Sequence, residues 1–169
     1  MAAQGKVDRV DVIVDQWSRE RPDLPTEAMG IFGRLGRVAM LLEAAINATF
    51  DRHGLQRGEF DVLAALRRSG APFELNPSVL AETMMLSRAG MTGRLDRLEG
   101  AGLVRRIADS ADRRSVRVAL TPSGRSLVDI VVADHVENEE RLLSVLAAKD
   151  RRELDRISRL LLAGLEADT

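Results

Sequence analysis

Between residues 28 and 52 the apolar positions Ile31, Leu35, Val38, Leu42 and Ile46 recur at steps of three and four, and Gly54 follows. That spacing predicts one long amphipathic helix with a glycine stop. The same period returns towards the C-terminus. Thr121-Pro122 offers a cap and a first-turn proline for a helix running through Val128, Val131, Val132, Leu142 and Leu146. Asp150 with Glu153 reads as the N-terminal box of a last helix carrying Leu154, Ile157, Leu160, Leu161 and Leu165. At the other end, Lys6 to Arg19 places Val7, Val10, Val14 and Trp17 on one helical face, closed by Arg21-Pro22 and a linker with Pro25.

The middle of the chain changes period. Ser87 is a good N-cap, Met91, Leu95 and Leu98 repeat at helical spacing, and Gly102 supplies a left-handed stop. Two strand-like runs follow, Leu103 to Ala108 and Ser115 to Leu120, around the polar tip Asp109-Ser110-Ala111-Asp112-Arg113-Arg114. Upstream, Asn76-Pro77 opens a short helix over SVLAETM, joined to the Ser87 cap through Met85-Leu86. Two short helices, a tight turn and a hairpin make a winged helix-turn-helix. The predicted fold is therefore mainly α with a small β-wing, flanked by long N- and C-terminal helices.

The second of the short helices divides its faces. Met91, Leu95 and Leu98 form the stripe to be buried, which leaves Ala89, Thr92, Gly93, Asp96 and Arg97 on the outer arc. Small side chains let a backbone approach a major groove, with Ser87, Arg88, Thr92 and Arg97 in reach of phosphates and base edges. Arg113 and Arg114 at the tip suit phosphates or a minor groove. Taken one element at a time, a solvated amphipathic helix and an ordinary charged hairpin explain the same residues.

The run D-x-x-D-R-R-S-x-x-V-x-L-T from Asp109 to Thr121 resembles the wing signature of the MarR (multiple antibiotic resistance regulator) family, and the likeness extends over about residues 30 to 167. The resemblance implies an obligate homodimer with one winged helix per subunit. It also implies a transcription factor, usually a repressor, released from double-stranded DNA by a small ligand or by oxidation. Two-fold symmetry then predicts a pseudo-palindromic operator with half-sites about 10 base pairs apart.

Composition narrows this picture. The net charge of −1 hides a division: residues 85–120 hold eight arginines against four acids, residues 1–84 ten bases against twelve acids, and residues 121–169 seven against ten. Positive charge gathers where phosphates are expected. The chain has no cysteine, so thiol oxidation is not an available trigger. His53 and His135 stand far apart without ligand spacing, no glycine-rich phosphate loop follows a strand, and no Ser/His/Asp or Cys/His set is spaced for catalysis. Neither an enzyme, a metal sensor with imidazole ligands nor a bound cofactor is expected, although a carboxylate-rich metal site stays open. No apolar run is long enough to span a membrane and no signal peptide is read, so the expected location is the cytoplasm. The layout is an extra helix and linker over 1–24, a scaffold helix over 25–54, the DNA-binding region over 55–120 and C-terminal dimerisation helices over 121–169. The long apolar stripes exceed what a winged helix covers, which fits a helical dimer interface; on the residues alone a monomeric bundle fits as well.

The added N-terminal helix with its single tryptophan resembles the urate-responsive, PecS-like subgroup of that family. The subgroup's ligand site, carried over, falls on Trp17, Asp61 and Arg94, with Ser69 where the subgroup has an asparagine eight residues after the aspartate. Asp61 is the only charge in Phe60 to Leu66, and Arg94 flanks the stripe made by Met91 and Leu98. An Asp61–Arg94 pair would tie scaffold to recognition helix, and a small anionic effector would compete for Arg94. The alternative is a structural ion pair, with Trp17 as a core anchor. Serine is the shorter hydrogen-bonding group, so urate and another planar or carboxylate anion both remain candidates.

Overall fold

The computed structural model describes residues 7–84, 88–108 and 116–167, with the side chains of residues 88 and 89 left aside. The described residues form seven helices and three strands in the order α1 (Arg9–Glu20), α2 (Glu27–Asp51), α3 (Arg57–Arg68), β1 (Glu74–Leu75), α4 (Pro77–Thr83), α5 (Arg88–Gly100), β2 (Val104–Ala108), β3 (Val116–Leu120), α6 (Pro122–Leu143) and α7 (Ala148–Ala167). The chain divides into two compact units, Met1–Ala45 and Ile46–Thr169.

In the first unit α1 starts on an aspartate cap: the Asp8 carboxylate accepts the N–H groups of Val10 and Asp11, and the Asp11 carboxylate accepts the Asp8 N–H in return. That reciprocal arrangement satisfies backbone donors a helix start would otherwise leave open. Val10 packs on Gly33 of α2, and the Arg34 guanidinium binds the carboxylates of both Asp8 and Asp11. The pairing holds the Asp8 carboxyl below its ordinary pKa, through the Asp11 N–H first and Arg34 second. Trp17 lies on α1 and is 45% exposed, so it is not a core anchor of this unit.

The second unit holds the core. Phe50, Leu63, Leu66, Leu80, Met91, Leu95, Leu98, Val104, Val118, Val128 and Val131 are fully buried, and they come from the end of α2 and from every later element up to α6 except β1, whose Leu75 packs on them half-buried. Both predicted glycine stops are real. Gly54 and Gly102 take φ of +69° and +70°, and the N–H groups of Leu55 and Leu103 reach back to the carbonyls of Phe50 and Leu98. This is the left-handed ending that saturates helix carbonyls and returns an apolar residue to the core.

The sheet is antiparallel with order β1-β3-β2, β2 registering Val104 on Leu120 and Ala108 on Val116. A hairpin alone was expected. β1 is a third strand of two residues, Glu74 opposite Ala119 and Leu75 opposite Val118, too short to leave a period in the sequence. The expected Asp150–Glu153 box is corrected too: α7 begins at Ala148, with the Ala147 carbonyl accepting from Asp150 and Arg151, so Asp150 sits inside the first turn. Thr121 does cap α6, its hydroxyl accepting from the Gly124 N–H at 3.0 Å and donating to the Gly102 carbonyl at 2.7 Å. Among the described residues no helix is long and apolar enough to cross a membrane.

Candidate nucleic-acid interface

The predicted stripe of α5 is its buried face: Met91, Leu95 and Leu98 are each no more than 2% exposed. α4 lies behind it, with Leu80 and Ala81 buried in the same core. Polar ties then hold its two flanks. On one, the Arg106 side chain from β2 pairs with Asp96 at 2.7 Å and with Glu99, whose other oxygen accepts the Arg106 N–H at 2.8 Å. The Arg106 N–H, and then its guanidinium, hold the Glu99 carboxyl below its ordinary pKa, while Asp96 first and Glu99 next raise that of Arg106. On the other flank, Arg97 donates from Nε to Oε1 of Glu59 at 2.6 Å. What remains outward on α5 includes Gly90, Thr92 and Asp96, all exposed.

The wing strands run from core to solvent. Val104, Val118 and Leu120 are buried at the root, whereas Ala108 and Val116 are exposed at the far end. Residues 109–115 join them and fall outside the described residues, so Arg113 and Arg114 do too. Ser87 also falls outside them, and Arg88 is placed only as the first residue of α5. Thr92 stands where the wheel put it. Arg97 is exposed there too, with its side chain 52% open to solvent, while its Nε reaches back to the buried Glu59 carboxylate of α3.

Of the residues carried over as a ligand site, Trp17 belongs to the first unit and Asp61, Arg94 and Ser69 to the second. Asp61 and Arg94 are half-buried, and among the described residues no ion pair joins them. The expected pair is replaced by a different contact. The Arg94 guanidinium lies against Gly58, with Nη1 at 3.5 Å from its carbonyl, in space that a side chain there would fill: a Cβ on Gly58 would stand 2.3 Å from Arg94 Cζ. Gly58 precedes Asp61 by one helical turn on the same face of α3. Ser69 ends α3 and its hydroxyl donates to the Leu66 carbonyl at 2.8 Å, so it also serves as a cap.

Glu59 was not anticipated. It is 7% exposed, the one buried carboxylate among the described residues, and it occupies the third position of α3 behind the Gln56 cap. The spacing Gln56-x-x-Glu59 was the available sign, being that of a capping box.

The MarR family model matches residues 53–115. The HTH-type transcriptional regulator PecS of Dickeya dadantii (strain 3937) is 44% identical over 145 residues, which cover 86% of this chain and 87% of that protein. Sco3205, a MarR family transcriptional regulator from Streptomyces coelicolor solved in complex with DNA, has the same fold with a TM-score of 0.73 at 24% identity, over 84% of this chain and 89% of that one. The Mycobacterium tuberculosis MarR family protein Rv2887, solved as a complex with p-aminosalicylic acid, is similar with a TM-score of 0.58 at 31% identity, over 75% and 94%. These relatives are transcriptional regulators and not enzymes. A winged helix with a basic wing segment, an α5 anchored on three sides and 44% identity to PecS lead to one conclusion: the chain belongs to the MarR family and is a DNA-binding transcriptional regulator of the PecS-like type.

Proposed function

We propose that the chain acts in the cytoplasm as a homodimeric repressor, held on a pseudo-palindromic operator by α5 and the β2–β3 wing and released by a small anionic ligand. The observation that carries the DNA-binding part is the anchoring of α5, which leaves Thr92 outward on a helix that α3, α4 and β2 all hold. Ser87, Arg88 and Thr92 are assigned to the groove, Arg113 and Arg114 to the phosphates beside it.

Dimerisation is supported by apolar surface the single chain leaves open. α7 has no buried residue, although Leu160, Leu161 and Leu165 repeat along it, and on α2 Ile31, Phe32, Leu35 and Val38 are all more than 40% exposed. A monomer rarely keeps two such helices in water, and a second copy covers both symmetrically.

For the ligand, Arg94 is the anchor, with Asp61 and Ser69 as the remaining candidates of its own unit and Trp17 a separate candidate on α1. Arg94 is half-buried and turned towards α3, so an anion that binds it acts on the recognition helix itself. Such a ligand shifts the protein off DNA only by binding the released state more tightly. The p-aminosalicylic acid complex of Rv2887 shows a planar carboxylate bound by that relative. The test uses urate and salicylate as probes against a fluorescent operator duplex. Arg94→Ala is expected to keep operator affinity within about threefold and to raise the releasing concentration at least about tenfold, the loss of one charged hydrogen-bonding partner. Release of wild type and variant at the same concentration contradicts the pocket.

A further inference from the structure

We propose that Arg97 is a positioning residue for DNA binding: its ion pair with Glu59 sets the rotation of α5 about its own axis, and it does not itself hold DNA. The inference rests on the reading of α5 as the helix that enters the groove.

Glu59 uses both oxygens. Oε2 accepts the Gln56 N–H at 2.8 Å, closing the start of α3, and Oε1 accepts Nε of Arg97 at 2.6 Å. Arg97 adds a second, longer contact from Nη2 to Oε1 of Gln56 at 3.4 Å. The Glu59 side chain is only 9% exposed, whereas that of Arg97 is 52% exposed. The asymmetry decides what Arg97 can do. Drawing its guanidinium away to a phosphate would exchange a shielded partner for a salt-screened one and strand a buried carboxylate without its cation, a change that costs several times what a surface ion pair returns.

The geometry also explains why α5 needs the tie. Met91, Leu95 and Leu98 fix which side of the helix faces inward, but an apolar stripe tolerates some rolling. Glu59–Arg97 holds one flank, and Arg106 bound to Asp96 and Glu99 holds the other. Two ties on opposite flanks stop rotation in either sense. Each residue of an α-helix turns 100°, so rolling by a fraction of that step swings Thr92 away from a base edge.

Neutral amides at both positions separate positioning from contact. Glu59→Gln keeps an oxygen for the Gln56 N–H and so keeps the α3 cap. Operator affinity and its salt slope are measured for the full-length wild type, Glu59→Gln, Arg97→Gln and the double variant, with thermal melts to confirm folding. Each single variant is expected to bind about tenfold more weakly, since one partner is left uncompensated, and the double variant, a Gln–Gln hydrogen-bonded pair, to return to within about threefold of wild type. All four keep the wild-type slope of log affinity against log salt.

A double variant no better than Arg97→Gln overturns the proposal. So does a slope lower by about 2 in both Arg97 variants, the value for one lost phosphate contact in each of two subunits. Wild type that shows no salt-dependent duplex binding fails the reading of α5 itself, and the inference goes with it.

Discussion

Arg113→Ala is expected to weaken operator binding by roughly 30-fold at 0.15 M salt and to lower the slope of log affinity against log salt by about 2. The size follows from counterion release: one neutralised phosphate contributes about 0.9 to that slope, and a dimer brings two wings. Affinity for unrelated duplexes should fall by a similar factor, because a phosphate contact carries no sequence information. The two strands that flank the tip, β2 and β3, pass from buried Val104 and Leu120 to exposed Ala108 and Val116. Fluorescence anisotropy between 0.05 and about 0.3 M salt reads both quantities. Unchanged affinity and slope would remove Arg113 from the interface, and the same measurement on Arg114→Ala would show whether its neighbour takes the role.

The second large effect concerns stability. Gly124→Ala in the first turn of α6 is expected to cost about 3 kcal/mol, lowering the melting temperature by about 10 °C. A Cβ built there lies 1.9 Å from the Leu103 carbonyl oxygen and 2.8 Å from its carbon. Those atoms are backbone, and the Leu103 carbonyl also accepts the Thr121 N–H at 3.1 Å, so the clash cannot be relieved by turning a side chain. Relief requires α6 to move away from the entry to β2, at the root of the wing. Gly100→Ala is the control: nothing stands within 4 Å of the added carbon, φ is not left-handed, and a helix gains from the exchange. A melting point for Gly124→Ala within about 2 °C of wild type would contradict the close approach.

Much of the fold was legible because its signals are local. The three- and four-residue steps of Ile31 to Ile46, the Met91-Leu95-Leu98 stripe and the glycine stops each specify an element without reference to the rest of the chain. Elements made by tertiary pairing were not. β1 exists because Glu74 and Leu75 lie beside Ala119 and Val118, and no two-residue run announces that. Helix starts slipped for a similar reason: an acid in the first turn, such as Asp150, looks like a cap until the backbone shows where the turn begins.

The site shows the same division. The wheel gave the faces of α5 and the inward flank of Arg94, but not the partners that its long side chains meet. Arg94 was expected on Asp61 and lies on Gly58, where the missing side chain leaves room for a guanidinium. Arg97 is read on the outer arc, where its side chain is 52% exposed, and the partner the wheel does not supply is Glu59. In each case the backbone position was readable, while the partner was set by a neighbouring helix start that periodicity cannot place in space. The thiol-free composition, by contrast, was decisive from the sequence alone, since it leaves no cysteine for an oxidative trigger.

The most direct test of a dimer that reads DNA through α5 and the wing is selection of duplexes from a random pool by the full-length chain, followed by stoichiometry on the recovered sequence. The account predicts a pseudo-palindrome with half-site centres about 10 base pairs apart, two chains bound per duplex, and affinity that falls steeply with salt. A pool that converges on no sequence, or one chain per duplex with no salt dependence, would contradict it.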